Sequence, residues 1–364
     1  MKYIDPCFIE PLLNKYQAWF ETLQRKYTSS HAAPPSGFTP SETAFWDFVV
    51  KHMLPLIRMK QNEMVDFVNE INKSYPFVYS AEKQIKSIQT RRGRYSGTAL
   101  AEVCSKINQI LTKSGCHTIV RQNSIRDMKE DALRELENIF NQKKVFDEIE
   151  QLFDYGKFYQ QWGAEFIKNS GVETCPYCER AFIAPYNEKK SYTAQLDHFF
   201  PKGKYPFFAL SLYNLIPCCS FCNWIKQAED FYEKKHLYPY SEDIENKLTF
   251  TIEEKESNLD YSQVDLFSIG IEIHRDGQPA SANVKTFKLK ELYQSHKQTV
   301  ANMAKLKRIN TKHLRGELGR LTGDLDDTYI QSLFEALCLP SRANGILNKF
   351  IKDISEELNQ KMGL

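Results

Sequence analysis

Four of the nine cysteines in this 364-residue chain fall into two identical spacings. Cys175-Pro-Tyr-Cys178 and Cys219-Ser-Phe-Cys222 are both CxxC knuckles. Such a knuckle can set two thiolates on one metal, and two knuckles complete the tetrahedral sulfur site that Zn²⁺ takes. The 40 residues between the knuckles exceed the span of a simple zinc ribbon, so a folded insert is expected there. Cys218 competes for the register, but only Cys219 keeps the two-residue spacing to Cys222. The plainer alternative is a set of buried structural thiols. Cys7, Cys104, Cys116 and Cys338 are isolated and read as small core residues.

The insert carries oxygen donors and an imidazole. Asp197-His198 follows a short apolar stretch, Asn214 follows an apolar turn, and Asn223 comes directly after the second knuckle at an expected helix start, with Lys226 one turn on. Asp and Asn oxygens suit Mg²⁺ better than zinc. An adjacent imidazole can serve as a general base. A zinc site clamping strand to helix would let these groups converge. Alone, an Asp-His pair is weak evidence, since a lone His is more often an ordinary surface or core residue.

Taken in order, CxxC, Asp-His, Asn214-Leu, CxxC-Asn and the following Lys, this segment of about 55 residues resembles the HNH (ββα-metal) endonucleases of the four-cysteine type. The resemblance implies a β-hairpin, a loop and a helix around one divalent ion. It implies His198 as general base, Asp197 and Asn223 as ligands of a catalytic Mg²⁺ or Mn²⁺, Asn214 as the residue that orients His198, and Lys226 as a phosphate contact. Asn223 stands where many members carry a final His. The stretch His236–Glu242, the strand pair after it and Val284–Lys297 are similar to the HNH effectors of Septu-type and retron-linked anti-phage systems, which work beside an ATPase subunit. This chain has no GxxxxGK[ST] loop, so such an ATPase would be a separate chain.

The elements that must position these groups can be read from periodicity. Residues 8–28 place Ile9, Leu12, Leu13, Tyr16, Phe20 and Leu23 on one helical stripe. Residues 29–42 read as a linker, and Thr39-Pro40-Ser41-Glu42 as a helix start. Helical patterns follow over 41–74, 79–112, 124–152 and 155–169. LTFTIE and FSIGIEIH alternate as strands, Asp276-Gly277 reads as a turn, and helix returns from about 284, broken near Gly323 and Pro340. The expected fold is α+β. A helical region spans 1–170, a zinc-stabilised nuclease module 171–240, a short β segment 241–283 and a second helical region 284–364.

Charge is segregated although the net is +2. Residues 81–130 carry ten Lys/Arg against four Asp/Glu, and residues 281–320 ten against two. Residues 241–280 carry three against ten. Basic segments in a near-neutral chain suit a polyanion, with solvated helix faces as the plainer reading. Arg91, Arg92 and Arg94, in an expected loop, suit phosphate contacts because a guanidinium is a fork-shaped donor. A mean hydropathy of −0.51 and the lack of a long apolar run exclude a membrane helix. Asp5, Pro6, Glu10 and Pro11 interrupt the first apolar residues, which argues against a signal peptide and for a cytoplasmic protein with reduced thiols.

The expected function is metal-dependent hydrolysis of phosphodiester bonds, with double-stranded DNA as substrate, an ATPase partner and a homodimer or larger assembly. The alternatives are an RNA endonuclease acting for instance on tRNA, and a zinc-knuckle protein that binds nucleic acid without cutting it. The chemistry reads phosphate and not base, so the site residues do not choose between DNA and RNA.

Overall fold

The computed structural model describes residues 2–30, 34–88, 96–117, 119–183, 194–241, 244–256, 259–274, 277–322, 326–338 and 346–363. Arg91, Arg92 and Arg94, Asp276 and the expected breaks at Gly323 and Pro340 lie outside these residues, as does the side chain of Cys338. Helices predominate, with two small antiparallel sheets, in keeping with the α+β expectation. The chain divides into two compact units whose boundaries differ from those expected.

One unit comprises Pro11–Phe158 and Lys202–Asn214. Its helices are α1 (Ile9–Ser30) from Pro11 onward, α2 (Pro40–Lys51), α3 (Met53–Arg58), α4 (Gln61–Ser74), α5 (Ser80–Ser87), α6 (Gly97–Lys113), α7 (Ile125–Ile139), α8 (Gln142–Leu152) and α9 (Tyr155–Phe158). The Thr39 start is a full capping box: Thr39 Oγ1 accepts from Glu42 N, and the Glu42 carboxylate accepts from Thr39 N at 2.8 Å. The pattern over 41–74 forms three helices rather than one. Pro55 has no N–H and its ring collides with the carbonyl four residues back, so the helix must stop and restart with Pro55 in a first turn. Met59 and Lys60 then leave the helical conformation, and Glu63 caps the restart by accepting from Lys60 N at 2.7 Å.

Part of this unit's core is aromatic, and the segment 202–214 belongs to it for that reason. Phe207 packs against Phe45 and Phe67, and Phe208 against Phe67. Ser211 Oγ donates to Leu56 O and Tyr79 Oη to Lys204 O. Burying Phe207 and Phe208 completely removes roughly 1.5–3 kcal/mol of hydration cost per ring. The segment therefore follows its phenylalanines into the helical core and not its sequence neighbours.

The other unit comprises Met1–Glu10, Tyr159–Pro201 and Leu215–Leu364. After α10 (Ala164–Asn169) it holds β1 (Ala194–His198), β2 (Leu215–Cys219) and α11 (Ser220–Lys226). Then come β3 (Leu248–Glu254), β4 (Phe267–Ile273), α12 (Gln278–Thr286), α13 (Leu289–Tyr293), α14 (Lys297–Ile309), α15 (Lys312–Thr322), α16 (Asp327–Cys338) and α17 (Asn348–Met362). β1 and β2 are antiparallel with Ala194 opposite Cys219, Gln195 opposite Cys218 and Asp197 opposite Ile216. The two alternating stretches form β3 and β4, with Phe250 opposite Ile271 and Ile252 opposite Ile269. Two backbone donors of β3 are met from α17: Asp353 accepts from Phe250 N and Glu357 from Ile252 N, at 2.9 and 2.7 Å. Carboxylates four residues apart lie one above the other on a helix and so match donors two residues apart on a strand.

Candidate metal centre and adjoining polar seam

The first knuckle is a tight turn. Glu179 N donates to Cys175 O at 2.7 Å, Cys175 N to Ala181 O at 2.9 Å, and Thr174 bridges Phe182 across the turn. Closing the turn puts Glu179 at φ +54°, a left-handed conformation that costs a side-chain-bearing residue roughly 1–2 kcal/mol. Several contacts hold it there. Leu347 N donates to Glu179 O, Lys349 N approaches the Glu179 carboxylate at 3.4 Å, and Tyr293 Oη donates to Cys178 O at 2.8 Å. The amino-terminal segment adds Lys2 N to Pro176 O at 3.0 Å.

The second knuckle lies at a strand-to-helix corner. Cys219 ends β2 and is the N-cap of α11, its Sγ accepting from Cys222 N at 3.4 Å. The four sulfurs of Cys175, Cys178, Cys219 and Cys222 lie within 4.8 Å of one another and all four residues are buried. Cys178 Sγ and Cys219 Sγ are 4.0 Å apart. A tetrahedral zinc with bonds of 2.3 Å separates its sulfurs by about 3.8 Å, so the cluster fits Zn²⁺. Hydrogen bonds from Cys175, then Cys178 and Cys222, hold the Cys219 thiol far below its ordinary range, while burial pushes Cys175 well up. Cys218 stays out: adjacent strand residues point to opposite faces, and only Cys219 shares the zinc side.

Beside the cluster runs a buried polar seam between β1 and α11. Asp197 Oδ2 accepts from Tyr177 Oη at 2.6 Å, and Asp197 Oδ1 lies 3.0 Å from Lys226 Nζ. Lys226 Nζ also donates to His198 O at 2.8 Å and sits 4.7 Å from the centre of the Phe231 ring. Burial raises the Asp197 carboxyl above its usual range against the opposing pull of Lys226 and Tyr177, and burial followed by Asp197 drives Tyr177 well up. Phe231 in turn stacks on His236 at 3.9 Å with the planes 3° apart.

At the outer end of the seam, Asn223 Nδ2 donates to Gln195 Oε1 at 2.6 Å. Gln195 and Asp197 occupy one face of β1 by alternation, and Asn223 and Lys226 are three residues apart on α11, so two side chains of the strand meet two of the helix. His198 is buried next to Asp197, and by the same alternation it faces away from Gln195 and Asp197. Its carbonyl ties it to the seam. Asn214 belongs to the helical unit, where its Nδ2 donates to Phe208 O at 3.1 Å.

Asp197, Asn223 and Lys226 are thus brought to one seam. Lys226, expected on a phosphate, is turned inward and is 2% exposed. A hard divalent cation is a poor fit to this arrangement. Both Asp197 oxygens are engaged, one by an ammonium and one by a phenol. Tyr177, Gln195 and Phe231 were not singled out in the sequence. Gln195 had a signal, being two residues before Asp197 and hence on the same strand face. Tyr177 had one as well, inside the knuckle. Among the described residues no helix is long and apolar enough to cross a membrane.

Comparisons with protein-family models, with curated proteins and with solved structures returned no match.

Proposed function

We propose that the β1, β2 and α11 unit is the active centre of an HNH-type endonuclease that hydrolyses phosphodiester bonds. The observation that supports this reading most is the order of its polar groups along a strand and a helix held beside one sulfur cluster. The strand β1, carrying Asp197 and His198, pairs with β2, and β2 turns into the helix carrying Asn223 and Lys226 at the corner where Cys219 and Cys222 complete the sulfur cluster. A rigid pin beside a short strand and helix is what a catalytic set needs to hold its geometry.

In this reading His198, as a neutral imidazole, takes a proton from water, which attacks the scissile phosphorus in line. The bond from phosphorus to the 3′ oxygen breaks, and that oxygen takes a proton from solvent, giving a 5′-phosphate and a 3′-hydroxyl. Gln195 orients Asn223, and Tyr177 and Lys226 orient Asp197. The resemblance carries an expected Mg²⁺ or Mn²⁺ on Asp197 and Asn223. Lys226 holds that seat in the placement described, so dependence on a divalent cation is itself a test. The same resemblance extends the proposal to DNA as substrate, to a separate ATPase as partner and to a role in anti-phage defence.

The buried Asp197–Lys226 pair supports a second reading, a zinc-pinned unit that binds nucleic acid without cutting it, because a carboxylate and an ammonium that neutralise each other serve structure first. A cleavage panel separates the two. The full chain is incubated with duplex DNA, single strands and tRNA in Mg²⁺ or Mn²⁺, with EDTA as control. Cleavage that EDTA stops supports the nuclease, and binding with no cleavage under any condition supports the second reading.

A further inference from the structure

The outer surface of the hairpin and helix has an unusual chemistry. Over residues 194–201 and 215–228 the acidic and basic side chains are Asp197 and Lys226, both buried against each other, with buried His198 beside them. What faces outward is aromatic and amide: Phe221 at 44% and Trp224 at 69% exposure, with Gln195, Ser220 and Gln227 exposed and Asn223 half-buried. At about 100° per residue, Asn223, Trp224 and Phe221 span an outer arc of about 160°, while Cys222 and Lys226 point inward. Trp224 lies within that arc, about 60° from Phe221 and about 100° from Asn223.

We propose that Trp224, with Phe221, is a stacking platform for the bases of an unpaired nucleic-acid strand, so that the segment presented to this site is single-stranded or locally unstacked. The inference rests on the nuclease reading for the identity of the ligand class, and the surface supplies the rest. Every base has an apolar face that an indole can cover, and in a duplex those faces are already stacked on their neighbours. The amides around the rings offer donors and acceptors for base edges. Within residues 194–201 and 215–228 no exposed carboxylate stands to repel phosphates. An aliphatic rim, such as a protein partner would bury, is lacking among these residues, where the half-buried Ile225 is the nearest aliphatic side chain on α11.

The platform can be tested apart from catalysis. Of the four tryptophans, Trp224 alone is exposed, so its emission reports on this surface. Full-length, zinc-loaded His198→Ala protein is titrated with a short oligothymidine and with a duplex of equal length at fixed salt. The single strand should quench the emission. Trp224→Ala should abolish the quench and weaken binding by about 5- to 150-fold, and Trp224→Phe should keep binding within a few-fold. Zinc content and thermal midpoint, unchanged in both variants, establish that the fold is intact. Equal affinity of Trp224→Ala and its parent for the strand overturns the platform, as does a Trp224→Ala variant whose one change is lost association with a protein or a second copy of the chain. Quenching and Trp224-dependent binding in a wild-type chain that never cuts would keep the platform and end the nuclease reading. Cleavage of duplex at equal rates with and without Trp224 would do the reverse.

Discussion

Lys226 Nζ lies 3.0 Å from Asp197 Oδ1, with both side chains 4% exposed or less. Removing one partner of such a pair leaves an uncompensated buried charge, which typically costs about 3–5 kcal/mol. Lys226→Met and Asp197→Asn should each lose stability of that order in urea denaturation. The double variant should lose clearly less than the sum, because its two neutral groups no longer need each other. Additive losses would mean that the two side chains do not interact in solution.

The zinc cluster should be part of the folding free energy. Elemental analysis should find about one zinc per chain, and Cys222→Ser should lose it together with soluble protein. Glu179 links the knuckle to the first turn of α17 through Leu347 N and Lys349 N. Chelation should therefore raise amide exchange at the start of α17 before it does so in α6 or α7. Unchanged exchange there after zinc removal would sever that link.

Gln195 should matter to activity more than to stability. Its bond to Asn223 is largely exposed, so Gln195→Ala should cost less than about 1 kcal/mol. Groups that orient a site residue typically carry about 10- to 100-fold of its effect. Cleavage should fall in that range with zinc retained. A full-rate Gln195→Ala enzyme would show that Asn223 needs no such support.

His236 gives a pH dependence. It is 5% exposed, stacked on Phe231 and paired through Nε2 with Thr286 Oγ1. Burial lowers its pKa to about 4, with Glu229 and Asp230 acting to raise it and Lys234 and Lys226 to lower it. The unfolded ring takes a proton near 6.5 and the folded ring does not until about 4, so between these values the unfolded chain binds more protons. Stability is then fully present above about 6.5 and is lost as pH falls toward 4, by on the order of 2–3 kcal/mol at about 1.4 kcal/mol per unit. In urea titrations from pH 7 to 4, His236→Gln should flatten this slope. An unchanged slope would place the acid sensitivity elsewhere.

The sulfur cluster was legible because zinc dictates spacing, and the choice of Cys219 over Cys218 followed from the same rule. The β3 and β4 strands were legible because one face of each is buried and a period of two shows in the sequence. Lys226 was not. Nothing in a Lys one turn after Asn223 tells whether it points out to a phosphate or in to a carboxylate, since that depends on Tyr177 and Phe231 meeting it in space. The split at 202–214 was hidden for a related reason. Phe207 and Phe208 look equally at home in either core, and contacts with Phe45 and Phe67, well over a hundred residues away, decide the matter.

The most direct measurement is the rate at which zinc-loaded wild-type and His198→Ala proteins cut a nucleic-acid strand in the presence of Mg²⁺ or Mn²⁺. With His198 as the base, the variant should lose about 10²- to 10⁴-fold in rate while keeping its zinc and its thermal midpoint. A variant with intact zinc that cuts as fast as the wild type would contradict the assignment of the active centre.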